Sequence, residues 1–106
     1  MGFVMDFNYH DIDDVIHSRI RTAIMAVLIS VDEAEFTFIR DKINATDGNL
    51  SAHLRKLEDH KYVEVSKEFI ERKPVTRYKI TETGRNAFEE YIKKLESIIK
   101  SPPLSM

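Results

Sequence analysis

The stretch "ATDGNLSAHLRKLEDHKYV", residues 45 to 63, opens with turn residues and runs straight into leucines at helical spacing. At about 100° of rotation per residue, Leu50, Leu54 and Leu57 share one side of a helix running from about Asp47 to His60. The outward arc holds Asn49, Ser51, Ala52, Arg55 and Lys56, with Asp59 further down. Small side chains near the start permit close approach to another surface, and a basic pair stands one turn later. Arg and Lys reach phosphate oxygens or guanine acceptors, while Asn can donate and accept at an adenine edge. The free N–H groups and partial positive charge of the helix start favour a phosphate there. His53, at the edge of the leucine stripe, is either a packing residue or a phosphate contact, and we place it with the contacts.

Working outward from this helix, the period changes on both sides. After it, residues 62–69 alternate, with Val63, Val65 and Phe69 on one side, and residues 75–80 alternate again, with Tyr78 and Ile80 together. "IERKP" between them forms the charged tip of a hairpin, Arg72 and Lys73 being followed by a stiffening Pro74. Lys67 and Arg77 on the flanking strands extend the cationic group, which Glu68 and Glu71 dilute. Thr81 caps a last helix from about Glu82 to Lys100, and Pro102 and Pro103 end it.

Before the leucine helix, Ile12, Val15 and Ile16, then Ile20, Ala23, Ile24, Val27, Leu28 and Val31, recur at three- and four-residue steps. Ser18 is a good N-cap, so the spacing predicts a short helix near 11 to 16 and a longer one near 18 to 30. "VDEAE" is expected to be a polar connection, "FTFIRDKI" a second short helix beginning near Thr37, and "NATDG" the turn. The order is helix, helix, turn, helix, hairpin, helix. The expected class is mainly α with a small β-hairpin (α+β): a winged helix-turn-helix with additional N- and C-terminal dimerisation helices. One domain spans 1–106, divided into an N-terminal extension over 1–17, the helix-turn-helix and wing over 18–81, and a C-terminal dimerisation helix over 82–100.

Composition agrees with a single modest core: 106 residues, 42% hydrophobic and 32% charged. No apolar run is long enough to span a bilayer, the start lacks the basic flank of a signal peptide, and Asp6 breaks the myristoylation pattern. A cytoplasmic protein with no membrane partner is expected. The absence of cysteine removes disulfides, thiolate metal sites and a cysteine nucleophile. The net charge of −2 conceals an asymmetry. Residues 1 to 35 carry seven acids and two bases, while residues 46 to 81 carry eight bases and six acids. For steering a polyanion, distribution matters more than the total.

In combination, these features resemble a known family. The stretch "FTFIRDKINATDGNLSAHLRKLEDHKYVEVSKEFIERKPVTRYKITETGRNAFEEY" is similar to the small winged-helix DNA-binding domains related to the MarR and ArsR transcriptional regulators. The carrying residues are Asp47-Gly48-Asn49-Leu50-Ser51, His53-Leu54, Leu57-Glu58 and Tyr62-Val63, then Lys73-Pro74, Thr76, Tyr78, Thr81 and Gly84-Arg85. The likeness covers about residues 17 to 99. It implies a homodimer whose recognition helices enter successive major grooves of double-stranded DNA while the wings touch flanking backbone, and it implies gene regulation, usually repression. One departure stands at Lys61, where such domains commonly carry Gly before the residue that opens the wing. Either Lys61 takes a left-handed conformation, or the helix ends differently with His60 or Asp59 absorbing the turn.

The last helix carries a stripe of Phe88, Tyr91, Ile92, Leu95, Ile98 and Ile99, longer than a core this small needs. We assign it to self-association, joined by Phe3, Phe7 and Ile12 from the apolar start. A two-fold dimer would set the recognition helices about 34 Å apart, one turn of DNA. His10 and His17, with Asp11, Asp13 and Asp14 nearby, have N/O ligand chemistry, but no metal-site spacing occurs, so no metal and no cofactor are expected. The absence of P-loop, GxGxxG and GxSxG patterns argues against an enzyme. A small-molecule effector fits a cleft beside the first helix, but no residue names it. The expected function is a DNA-binding regulator, and the rival from another class is a winged helix used only for protein–protein association.

Overall fold

The computed structural model describes residues 9–100. Its elements are α1 (Arg19–Ile29), β1 (Ala34–Glu35), α2 (Phe36–Ile43), α3 (Asp47–Asp59), β2 (Val63–Ile70), β3 (Lys73–Ile80) and α4 (Glu82–Lys100), preceded by a 3-10 turn at Tyr9–Asp11. The sheet is antiparallel, in the order β1-β3-β2. This α+β arrangement of four helices and a three-stranded sheet is that of a winged helix. Phe3 and Phe7 lie outside the described residues.

Local chemistry explains most boundaries. Ser18 is extended and its hydroxyl accepts from Arg21 N at 3.2 Å, so α1 starts where a capping residue stands. Thr46 does the same for α3, accepting from Asn49 N at 3.2 Å. Between α2 and α3, Asn44 takes the left-handed conformation (φ 58°) that asparagine tolerates better than most residues, which allows a three-residue turn. The core is then assembled from Ile24, Met25 and Leu28 of α1, Ile39 of α2, the three leucines of α3, Val63 and Ile80 at the wing base, and Phe88 and Tyr91 of α4. All three leucines are at most 1% exposed.

Three expectations are corrected. The short helix near 11 to 16 does not form among the described residues. Asp13 Oδ1 accepts from Val15 N (2.8 Å) and Ile16 N (3.1 Å), and this local side-chain turn competes with the helical ladder. The connection "VDEAE" contains a strand: Ala34 pairs with Tyr78 and Glu35 with Arg77. The hairpin tip is tighter than "IERKP", because β2 runs to Ile70 and β3 begins at Lys73. Only Glu71 and Arg72 turn the chain, with φ of 52° and 69°, the positive values of a two-residue type I′ hairpin loop.

The wing base is locked to α4. Thr81 N donates to Tyr62 O (3.0 Å), Thr81 Oγ1 donates to Lys61 O (2.6 Å), and Gly84 N donates to Thr81 Oγ1 (2.9 Å). Gly84 packs so closely that a Cβ there would lie 2.1 Å from the carbonyl oxygen of Tyr62. α4 leaves this junction and projects away, and the molecule measures 66 × 25 × 20 Å.

Candidate nucleic-acid interface

With its leucines turned inward, α3 offers two exposed flanks and a crest. Ser51 and Arg55 form one flank and, with Glu58, line an open groove whose other wall is Val65, Lys67, Thr76 and Tyr78 of the wing, with Phe36 at its end. The groove holds about 380 Å³. Small and cationic side chains of the helix and the wing therefore share one concavity. Helical rotation puts Ala52 at the crest and Asn49, His53 and Lys56 on the other flank. Asn49, Ala52 and Lys56 are exposed.

His53 faces back toward α1. Its Nδ1 accepts from an Arg21 guanidinium N–H at 2.9 Å, which requires a neutral ring with the proton on Nε2. Burial, with the neighbouring cations Arg21 and Lys56, holds its pKa below the ordinary histidine value. The same guanidinium donates through Nε to Val15 O and through Nη2 to Asp14 O (3.4 Å). Arg21 thus fastens the segment before α1 to the recognition helix. Sequence spacing did not reveal this residue, because its partners lie on a different turn and a different element. Tyr62 makes a parallel link: its hydroxyl donates to Asp13 Oδ2 at 2.6 Å, and burial, followed by the Asp13 carboxylate, pushes its pKa up to about 12.

On the wing the candidates divide between two sheet faces. Register pairs Val63 with Ile80, Val65 with Tyr78, Lys67 with Thr76 and Phe69 with Pro74, and these share the face turned to α3. Ser66–Arg77, Glu68–Val75 and Ile70–Lys73 share the opposite face. Arg77 therefore points away from the groove. Its guanidinium donates to Glu68 Oε2 at 2.7 Å and lies 3.9 Å from Glu35 Oε2, so its charge is already matched by carboxylates. Arg72 and Lys73 are exposed at the tip, and Lys67 is exposed beside the groove.

The residues assigned to self-association also divide. Phe88 and Tyr91, at 7% and 4% exposure, belong to the chain's own core and have little area left for a partner, and Ile12 is half-buried against that core. Tyr91 is further engaged within the chain, its hydroxyl lying 2.9 Å from His17 Nδ1. Ile92 and Ile99 are exposed, Ile99 at 80%, while Leu95 and Ile98 are half-buried. Among the described residues no helix is long and apolar enough to cross a membrane.

Known proteins share this architecture. The chain is 39% identical to the uncharacterized protein MJ0432 of Methanocaldococcus jannaschii over 87 residues, covering 82% of this chain and 95% of that one. The structure is similar to that of a transcriptional regulator homologue from Pyrococcus horikoshii, with a TM-score of 0.76 and 29% identity, over 80% of this chain and 84% of the other. In fold it also matches BpsR of Bordetella bronchiseptica, a protein whose DNA binding is regulated by 6-hydroxynicotinic acid. That match has a TM-score of 0.69 and 18% identity, over 87% and 69% of the two chains. Residues 20–99 match the family model described as a winged helix DNA-binding domain. The chain belongs to that family, and it is a DNA-binding regulator of transcription.

Proposed function

We propose that the protein is a cytoplasmic repressor acting as a homodimer on a roughly palindromic duplex site. The observation that carries this reading is the groove shared by Ser51 and Arg55 of α3 with Lys67 and Thr76 of the wing. A duplex seated on the small-residue crest of α3 meets cations from both elements at once. Asn49, Ser51, Ala52 and Arg55 enter the major groove. Lys56, Lys67, Arg72 and Lys73 neutralise phosphates on either side. His53 acts from behind, as the seat of the Arg21 clamp, and Arg77 stiffens the wing through Glu68 and Glu35. Repression then follows from occupancy of the site. The cleft bounded by His17, Ser18, Arg19, Thr22 and Tyr91 is where a small-molecule effector would sit, between the reading head and α4.

Titration of duplex DNA against salt tests this. Affinity is expected to fall by about 10³ or more between 50 and 200 mM salt if six or so phosphates are neutralised. Replacing Arg72 and Lys73 with alanine should flatten that dependence equally for all sequences. Asn49→Ala or Arg55→Ala should relax base preference instead, by about 1–3 kcal/mol. A salt-independent titration, or variants that bind as the parent does, would leave the winged helix as a protein–protein module.

A further inference from the structure

Phe69 is the most exposed large apolar residue of the wing, at 77%, two residues from a tip that is otherwise charged. Its position is specific. Phe69 lies on the sheet face that carries Val65 and Lys67, the face that closes the groove with Ser51 and Arg55. Two residues of strand carry it about 7 Å beyond Lys67, past the mouth of that groove. It is paired in register with Pro74, so the two apolar side chains stand side by side on this face. The strands beneath are joined by the shortest hairpin loop, and Arg72 and Lys73 flank the tip. Of the local acids, Glu68 is on the opposite face and bound to Arg77, while Glu71 is in the turn itself. The result is an aromatic ring on a stiff support, with Lys67 below it on the same face and Arg72 in the turn above, on the side where the duplex is proposed to lie.

We propose that Phe69 is a wedge that inserts into the minor groove next to the α3 site, partly unstacks a base step and bends the duplex. The proposal rests on the seating of DNA across α3 and the wing given above. Apolar side chains at a protein–DNA boundary act in this way when cations around them hold the backbone close. Pro74 supports the ring from the neighbouring strand. The wedge adds shape readout at positions where no hydrogen-bonding side chain reaches, favouring flexible pyrimidine–purine steps.

The test uses the full chain and a duplex selected by it from random-sequence DNA, with donor and acceptor dyes at the two ends. Phe69→Ala is expected to bind about tenfold more weakly, with an unchanged salt slope, because no phosphate contact is lost. The bend reported by energy transfer should diminish, and 2-aminopurine placed at the flanking step should lose its unstacking signal. Phe69→Trp should retain both signals. The ring is exposed, so thermal melting of the alanine variant should match the parent. The proposal is overturned if Phe69→Ala binds and bends DNA as the parent does, or if it alters only the oligomeric state measured without DNA. Should the parent itself show no duplex affinity, the seating of DNA across α3 and the wing fails along with the wedge. Binding by the parent with an inert Phe69→Ala removes the wedge alone.

Discussion

Lys61 holds a φ of 65° at the end of the recognition helix. Its N–H donates to Glu58 O at 2.9 Å, and the N–H of Tyr62 donates to Leu57 O at 2.9 Å, the paired bonds of a Schellman ending. The open question at this position is therefore settled: Lys61 itself takes the left-handed turn that glycine would take more readily. A non-glycine residue there bears about 1–2 kcal/mol of steric cost, partly offset because glycine is freer in the unfolded chain. Lys61→Gly should stabilise the fold by about 0.5–1 kcal/mol, seen as a Tm increase of a few degrees. His53 yields a pH prediction. Its folded pKa is depressed, whereas the unfolded chain binds the proton at the ordinary value of about 6.5. Below that pH the unfolded state takes up a proton that the folded ring refuses, so stability declines as pH falls from about 6.5 toward the folded value. Urea midpoints at pH 7.5 and 5.5 should show a larger drop for the parent than for His53→Gln.

Between elements, the junction of the wing with α4 leaves no room for an added methyl. The added methyl of Gly84→Ala would meet backbone, the Tyr62 carbonyl, which cannot rotate away. The expected loss is about 1–3 kcal/mol or more, measurable as a lower urea midpoint, and it should be accompanied by weaker DNA binding because Tyr62 opens the wing. At this scale much was legible beforehand. The leucine spacing of α3 and the caps Ser18 and Thr81 arise from local chemistry and fall where expected, and the change of period expected at Tyr62 lies within one residue of the start of β2. What was not legible has equally specific causes. Two residues of β1 are too few to display an alternation. Glu71 and Arg72 lack the Asn-Gly signature of their turn, so the sequence alone suggests a tip wider than the two residues that form it. Asp13 binds its own following amides, which disguises a turn as helical periodicity. Of the candidate interface, residue type and helical rotation placed the α3 side chains correctly on the exposed arc. The engagement of Arg77 with Glu35 was hidden because it depends on the unseen strand.

As a whole, the molecule is elongated. Its radius of gyration is 16.8 Å, against about 13 Å for a compact chain of 100 residues. The distal half of α4 exposes Ile92 and Ile99, with little of the chain's own core to cover them. We expect the distal turns of two copies to pack together. Sedimentation of Ile92→Glu/Ile99→Glu should show a monomer where the parent is a dimer, with DNA affinity reduced because one half-site must then bind alone. A parent that sediments as a monomer, or a double variant that stays dimeric, would remove this interface.

The strip just before α1 has a consequence of its own. Asp13 holds the foot of the wing through Tyr62, Val15 receives the arginine that grips His53, and Ile16 O receives the hydroxyl of Thr22, 3.3 Å from that of Tyr91 on α4. Four consecutive residues thus act as a keystone among three parts, α3, the wing and α4. To pry them loose is to slacken all three together, so these parts cannot be tuned one at a time from this end of the chain.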